Sequence, residues 1–227
     1  MLSMLVSVAI TSSPINLNDL TPESVEIIAQ KVITQLSDST HIPPPLKVTE
    51  RPEPTPLGAL RFKDGRCELI INRTPIAWSQ WSRFLNLQNQ TNWPNIIRAS
   101  VAHEVAHCMP EHSTHVTNLG LNEATLKALA RTGNNNVDIV KQELFADTVA
   151  ILYAHEFLDT ESAQIVTNSI LTARINFAFQ DPAHNTSREL KKIIQQKARR
   201  LPNETFGQAA LRLLQPSPDL SLPLYDN

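Results

Sequence analysis

His103-Glu104-Val105-Ala106-His107 sits within Pro94 to Cys108, a run that holds no glycine and no proline after its first residue and is closed by Pro110. A proline suits a first helical turn, and Thr91 or Asn92 can cap it, so the spacing predicts a helix here. On that helix two histidines four apart point the same way, about one turn apart, and can hold one metal ion. Glu104 can then reach a water on the open side of the metal, as a hydrolase requires to make hydroxide near neutral pH. Ile96, Ile97, Val101 and Val105 are expected to face a core, while Ala99, Ser100 and Ala106 keep the histidine side small enough for a second helix to come close.

Two histidines leave a catalytic zinc short of one protein ligand. The rivals for the third place are Glu111, His112, Glu143 and Glu156. Glu111 and His112 lie just past Pro110, on a segment that would have to fold back sharply. Val137 to Leu158 is the longest helical run, broadly apolar, and on it Glu143, Asp147, Ala150 and Ala154 share one stripe. Glu156 stands nearly four turns from Glu143 and cannot serve the same site. Glu143 is therefore the expected third ligand, with Asp147 one turn on to accept the free imidazole N–H of a ligating histidine.

Upstream, Thr21-Pro22-Glu23 starts an amphipathic helix with Val25, Ile28, Ala29, Val32 and Leu36 on one face. His41 to Gly58 contains six prolines and reads as an extended connector in which Leu46 to Glu50 forms an edge strand, or as a flexible linker. Ala59 to Phe62 and Cys67 to Asn72 flank Lys63-Asp64-Gly65-Arg66, a tight turn, and predict a hairpin. The second of these strands could offer an open edge to an extended peptide, or be purely structural. Pro75 to Leu87, with Trp78, Trp81, Phe84 and Leu85, suits a short helix over the hairpin, and Asn122 to Arg131 another.

Downstream, Ser162 to Phe179 predicts a helix, broken by Asp181 to Thr186, and Thr186 or Ser187 can cap another from Arg188 to Leu201. That last helix is basic, but Leu190, Ile193, Ile194 and Leu201 make its charges read as a solvated face. Asn203 to Leu214 closes the fold, and the proline-rich tail 215–227 reads as disordered. Residues 1–20 open with ten uncharged positions, apolar but for Ser3 and Ser7. They read as a weak signal-peptide core with a cut after Ala9, or as a disordered or packed N-terminal segment. Cytoplasmic and exported locations both stand, and no stretch reaches membrane-spanning length.

With 41% hydrophobic and 19% charged residues in 227 positions, the composition is that of a soluble globular chain, and residues 21–214 read as one domain. A net charge of -2 supplies no overall field to gather nucleic acid or an anionic membrane. Cys67 and Cys108 are too few for a disulfide framework and fit no zinc ribbon. Cys108, about 100° around the helix from His107, is a poor co-ligand and reads as a small buried side chain.

His103-Glu104-Val105-Ala106-His107 followed by Glu143-Leu144-Phe145-Ala146-Asp147 resembles the gluzincin type of zinc metallopeptidase, which pairs H-E-x-x-H with a downstream E-x-x-x-D or E-x-x-A-D helix. The likeness spans Pro94 to Leu158. The type with a third histidine needs glycine at position 110 and histidine at 113, where this chain has Pro110 and Ser113. The resemblance implies a zincin-like α+β fold, mostly α, with a small antiparallel hairpin packed on the motif helix and a helical C-terminal half. It implies zinc held by His103, His107 and Glu143, Glu104 as general base, and a peptide or protein substrate. The E-x-x-A-D form is also similar to prenyl-protease-like peptidases, in which a later histidine and arginine stabilise the transition state; His184 and Arg188 are the candidates here. Two other functions compete: a non-catalytic helical module stapled by zinc, and a nucleic-acid binder using the basic helix from Arg188.

Overall fold

Helix α2, Trp93–His107, carries the motif and lies at the centre of the molecule. Its apolar positions Trp93, Ile96, Ile97, Val101, Ala102 and Val105 are all buried, which fixes the direction in which its polar stripe points. Asn92 stands at the N-cap but caps no backbone N–H: its Oδ1 accepts from the Asn95 side chain and its amide donates to Ser162 Oγ (3.2 Å) on a later helix. In this computed structural model the described residues are 20–37, 43–52, 55–80, 92–116, 119–121, 126–127, 137–177, 186–196 and 198–215. Residues 1–19, Trp81, Phe84, Leu85, nearly all of the 122–131 segment, His184 and the tail from 216 lie outside them.

Helix α1, Pro22–Leu36, begins with a reciprocal cap between Thr21 and Ser24 and buries Val25, Ala29, Val32, Ile33 and Leu36 against α2. The proline-rich connector leads into β1, Leu46–Thr49. Strands β2, Leu57–Arg61, and β3, Cys67–Asn72, form the expected hairpin, its turn relying on Gly65 at φ 85°. A helical turn follows at 75–80, with Trp78 against the core.

The sheet departs from expectation in two ways. It is mixed rather than antiparallel, because β1 runs parallel to β3 from Leu46↔Leu69 to Thr49↔Asn72, while β2 pairs with β3 antiparallel. The strand order is β1-β3-β2, so Cys67–Asn72 is the middle strand and has no open edge; the edge facing the motif helix is β2. Pro43, Pro44 and Pro45 favour an extended approach to β1, which lies along β3 with Leu69 donating to Pro45 O (3.0 Å) and Arg73 to Thr49 O (2.9 Å).

The five-residue helix α3, Pro110–Thr114, follows α2 directly, and the long helix α4, Val137–Phe157, packs on α2 more extensively than any other pair of elements. Ala99, Ala102 and Ala106 on α2 and Ala146, Ala150 and Ala154 on α4 are all buried, which is how two backbones come so close. Phe145, Val149, Ile151 and Leu152 are fully buried, each worth roughly 1.5–3 kcal/mol relative to exposure. Helices α5, Thr160–Phe177, α6, Ser187–Gln195, and α7, Phe206–Leu214, pack around α4. The basic helix ends at Gln195, six residues short of the expected Leu201. The architecture is thus α+β and mostly helical, with one hydrophobic cluster running from Leu20 to Ala210.

Candidate metal centre

His103 and His107 leave the last turns of α2 on one side, and Glu143 reaches them from α4. His103 Nε2 and His107 Nε2 are 3.2 Å apart. Glu143 Oε2 is 3.3 Å from the first and Oε1 is 3.6 Å from the second. Ligand atoms bound to one tetrahedral ion at 2.0–2.2 Å stand about 3.3–3.6 Å from one another. The two histidines stand at that spacing, each has a Glu143 oxygen at or near it, and one ligand atom of each of the three residues lies within 4.8 Å of the others; among the described residues this is the group that could hold a metal ion.

Each imidazole is steadied through its other nitrogen. His103 Nδ1 is 3.0 Å from Asp147 Oδ1, so the carboxylate one turn beyond Glu143 takes the place expected of it. His107 Nδ1 is 2.9 Å from His112 Nε2, so His112 meets the side of the His107 ring that faces away from His103 and is a partner of the triad rather than a member of it. Asp147 is 1% exposed and holds two further groups: Arg174 of α5 donates through Nε (2.8 Å) and Nη2 (2.6 Å), and Thr186 through its hydroxyl (2.8 Å). Thr186 does occupy the N-cap of α6, but its hydroxyl goes to Asp147 and leaves that helix without a side-chain cap. Arg174 Nη2 also stands 3.5 Å from Glu143 Oε2.

Glu104, on the neighbouring flank of α2, accepts the Ala59 N–H of β2 at Oε2 (2.9 Å). Burial raises its pKa, although His103 and the Ala59 bond pull the other way. Burial would lower His103 as well, yet its hydrogen bonds to Asp147 and Glu143 outweigh this and lift it to about 10. His107 is pushed down to about 3 by burial and by His103, and His112 to about 4 by burial and Arg61. Burial alone would raise Asp147, but Arg174 and His103 hold it well below the usual carboxylate range. Metal ligation requires neutral histidines, and in that state ionised Glu104, Glu143 and Asp147 against Arg174 would leave two negative charges for a divalent cation to offset.

The hairpin is tied to this end of α2. Cys67 and Cys108 form a disulfide, where the sequence reading had Cys108 as a lone buried side chain. The same 100° offset that turns Cys108 from the metal face turns it toward the start of β3. Arg61 Nη2 adds donations to His107 O (2.8 Å) and Met109 O (3.1 Å) at the helix C-terminus.

The other sequence candidates stand elsewhere. Glu111 accepts from Thr205 Oγ1 (3.0 Å) beside α7, and Glu156 is paired with Arg200 on the outer end of α4. Arg188 is exposed on α6 and is not among the side chains converging on the histidines; His184 lies outside the described residues. The arginine that does converge is Arg174, which sequence reading passed over because nothing in a helical run of mixed residues marks one arginine as inward-facing. Tyr153 is buried, donating to Gln35 Oε1 (2.7 Å), and His155 is exposed. No protein-family model matches the chain, and no curated protein and no solved structure matches it.

Proposed function

We propose that the protein is a zinc-dependent peptidase of the zincin-like kind, with His103, His107 and Glu143 as ligands and Glu104 as general base. The observation that carries this is Glu104: a half-buried carboxylate beside three side chains able to ligate one ion, and held by a strand N–H. A purely structural zinc would use four protein ligands and gains nothing from a base beside an open position. Two imidazoles and one carboxylate suit zinc among the common divalent ions.

Bound zinc supplies Lewis acidity, polarising a carbonyl and bringing the pKa of water toward neutrality. The chain's own part is proton handling and placement. Glu104 takes the proton of the attacking water as the new C–O bond forms, and passes it to the departing nitrogen as the C–N bond breaks. Its raised pKa brings it closer to the working pH, where acceptance and return of a proton are both effective. Ala59 N–H fixes one oxygen and leaves Oε1 to carry the proton. Asp147 holds the His103 ring with Nε2 forward, and Arg174 offsets the charge of Asp147 and Glu143. An extended peptide lying along the free edge of β2 would place its backbone beside Glu104.

The Cys67–Cys108 disulfide supports an exported location for this activity, since such bonds persist in oxidising compartments. No helix among the described residues is long and apolar enough to cross a membrane. The test is digestion of a peptide library by zinc-loaded protein. Cleavage that stops with chelator and returns with zinc is the expected result, and a library left intact by fully loaded protein would remove the proposal.

A further inference from the structure

His112 is buried, 7% exposed, with its ring edge against Phe145 at 5.8 Å between centroids. A histidine that ligates through Nε2 carries its proton on Nδ1, so the 2.9 Å contact runs from His107 Nδ1–H to His112 Nε2. The two ligand rings are thus held from different parts of the chain: His103 by α4 through Asp147, His107 by α3 through His112. A helix as short as α3 has no stability of its own and must be held by something else.

What holds it is Glu111, the residue before His112. Thr205 Oγ1 donates to Glu111 Oε1 (3.0 Å) while accepting the Gln208 N–H as the cap of α7. A Cβ placed on Gly207 would stand 2.6 and 2.8 Å from the two carboxylate oxygens of Glu111. A side chain at position 207 would therefore require the Glu111 carboxylate to move from this seat. The seat is the first turn of α7, where the helix dipole favours a negative charge.

We propose that His112 is a positioning residue for His107, and that Glu111, seated against Gly207 and Thr205, is the latch that sets it. This rests on the reading of His103, His107 and Glu143 as metal ligands. It extends that reading to a chain of contacts, from α7 through α3 to one ligand, that touches neither the metal nor the substrate.

Zinc affinity measured by chelator competition, together with the visible absorption of the cobalt-substituted protein, tests the proposal without recourse to turnover. His112→Phe keeps the packing and removes the acceptor; it is expected to weaken zinc about 10 to 100-fold and alter the cobalt spectrum. His112→Gln, which restores an acceptor at similar reach, is expected to recover most of both. Gly207→Ala should weaken zinc in the parent but not in a Glu111→Ala background, since only the carboxylate makes the methyl a clash. Parental affinity in His112→Phe, or a Gln variant no better than Phe, overturns the positioning role. An equal Gly207→Ala effect in both backgrounds overturns the latch. Should His112→Phe not fold, His112→Gln and the Gly207 cycle decide between the same outcomes. A parent that binds no zinc removes the metal-site reading itself, whereas a zinc-binding parent indifferent to His112 and Gly207 overturns this inference alone.

Discussion

Asp147 bears more than its place in the motif requires, because the carboxylate that steadies His103 also neutralises Arg174 and anchors Thr186. Asp147→Asn should weaken metal binding about 10 to 100-fold and also destabilise the fold by roughly 3 kcal/mol, since the largely enclosed Arg174 loses its nearer counter-charge and keeps only the more distant Glu143. Metal titration and thermal melting check the two effects separately. The histidines set a pH dependence for metal-free protein. His103, with its folded pKa at about 10 against 6.5, stabilises fully below pH 6.5 and loses that contribution as pH rises toward 10. His107 and His112, at about 3 and about 4, refuse protons that the unfolded chain accepts, so stability falls as pH drops below 6.5. Metal-free protein should therefore melt highest near pH 6.5, and zinc loading should flatten the alkaline flank because ligated His103 is already neutral. A metal-free melting temperature that climbs steadily from pH 6.5 to 9 would contradict this.

At the level of elements, the hairpin serves the motif helix in two separable ways. Its disulfide closes a loop of sequence separation 41, and Cys67→Ser with Cys108→Ser should cost up to about 4 kcal/mol in denaturant melts. Its edge strand supplies the Ala59 N–H to Glu104; Ala59→Pro, tolerable on an edge, should retain the metal yet lose turnover. If Ala59→Pro turns over like the parent, the strand does not orient the base. The elements themselves were legible because their signals are local: Thr21-Pro22 starts α1, Asp64-Gly65 turns the hairpin, and Pro94 opens α2. The stripe of Glu143, Asp147, Ala150 and Ala154 was legible because helical periodicity alone places those residues together. Parallel β1, the Cys67–Cys108 pairing, Arg174 and His112 were not, because each depends on how separate segments meet. His112 illustrates this best: its distance in sequence from His107 suggested a strained ligand, and only the turn of α3 shows it facing Nδ1 instead.

In the whole molecule, α2 is held from three directions, by α4 with two carboxylates, by α3 with an imidazole and by the hairpin with a disulfide and a backbone N–H. In the C-terminal part, Arg200 engages Glu156, Arg212 engages Glu204 and Lys192 engages Glu189. The distinction that matters most is between a metal that staples helices and one that works with a base. Glu104→Gln separates them, because the amide keeps the size of the side chain and the metal ligands but cannot accept a proton. The decisive measurement is peptide hydrolysis by Glu104→Gln and parent protein, each shown by metal analysis to carry one zinc. The account predicts equal zinc and a loss of turnover of about 10² to 10⁴-fold in the variant; equal zinc with undiminished turnover would contradict it.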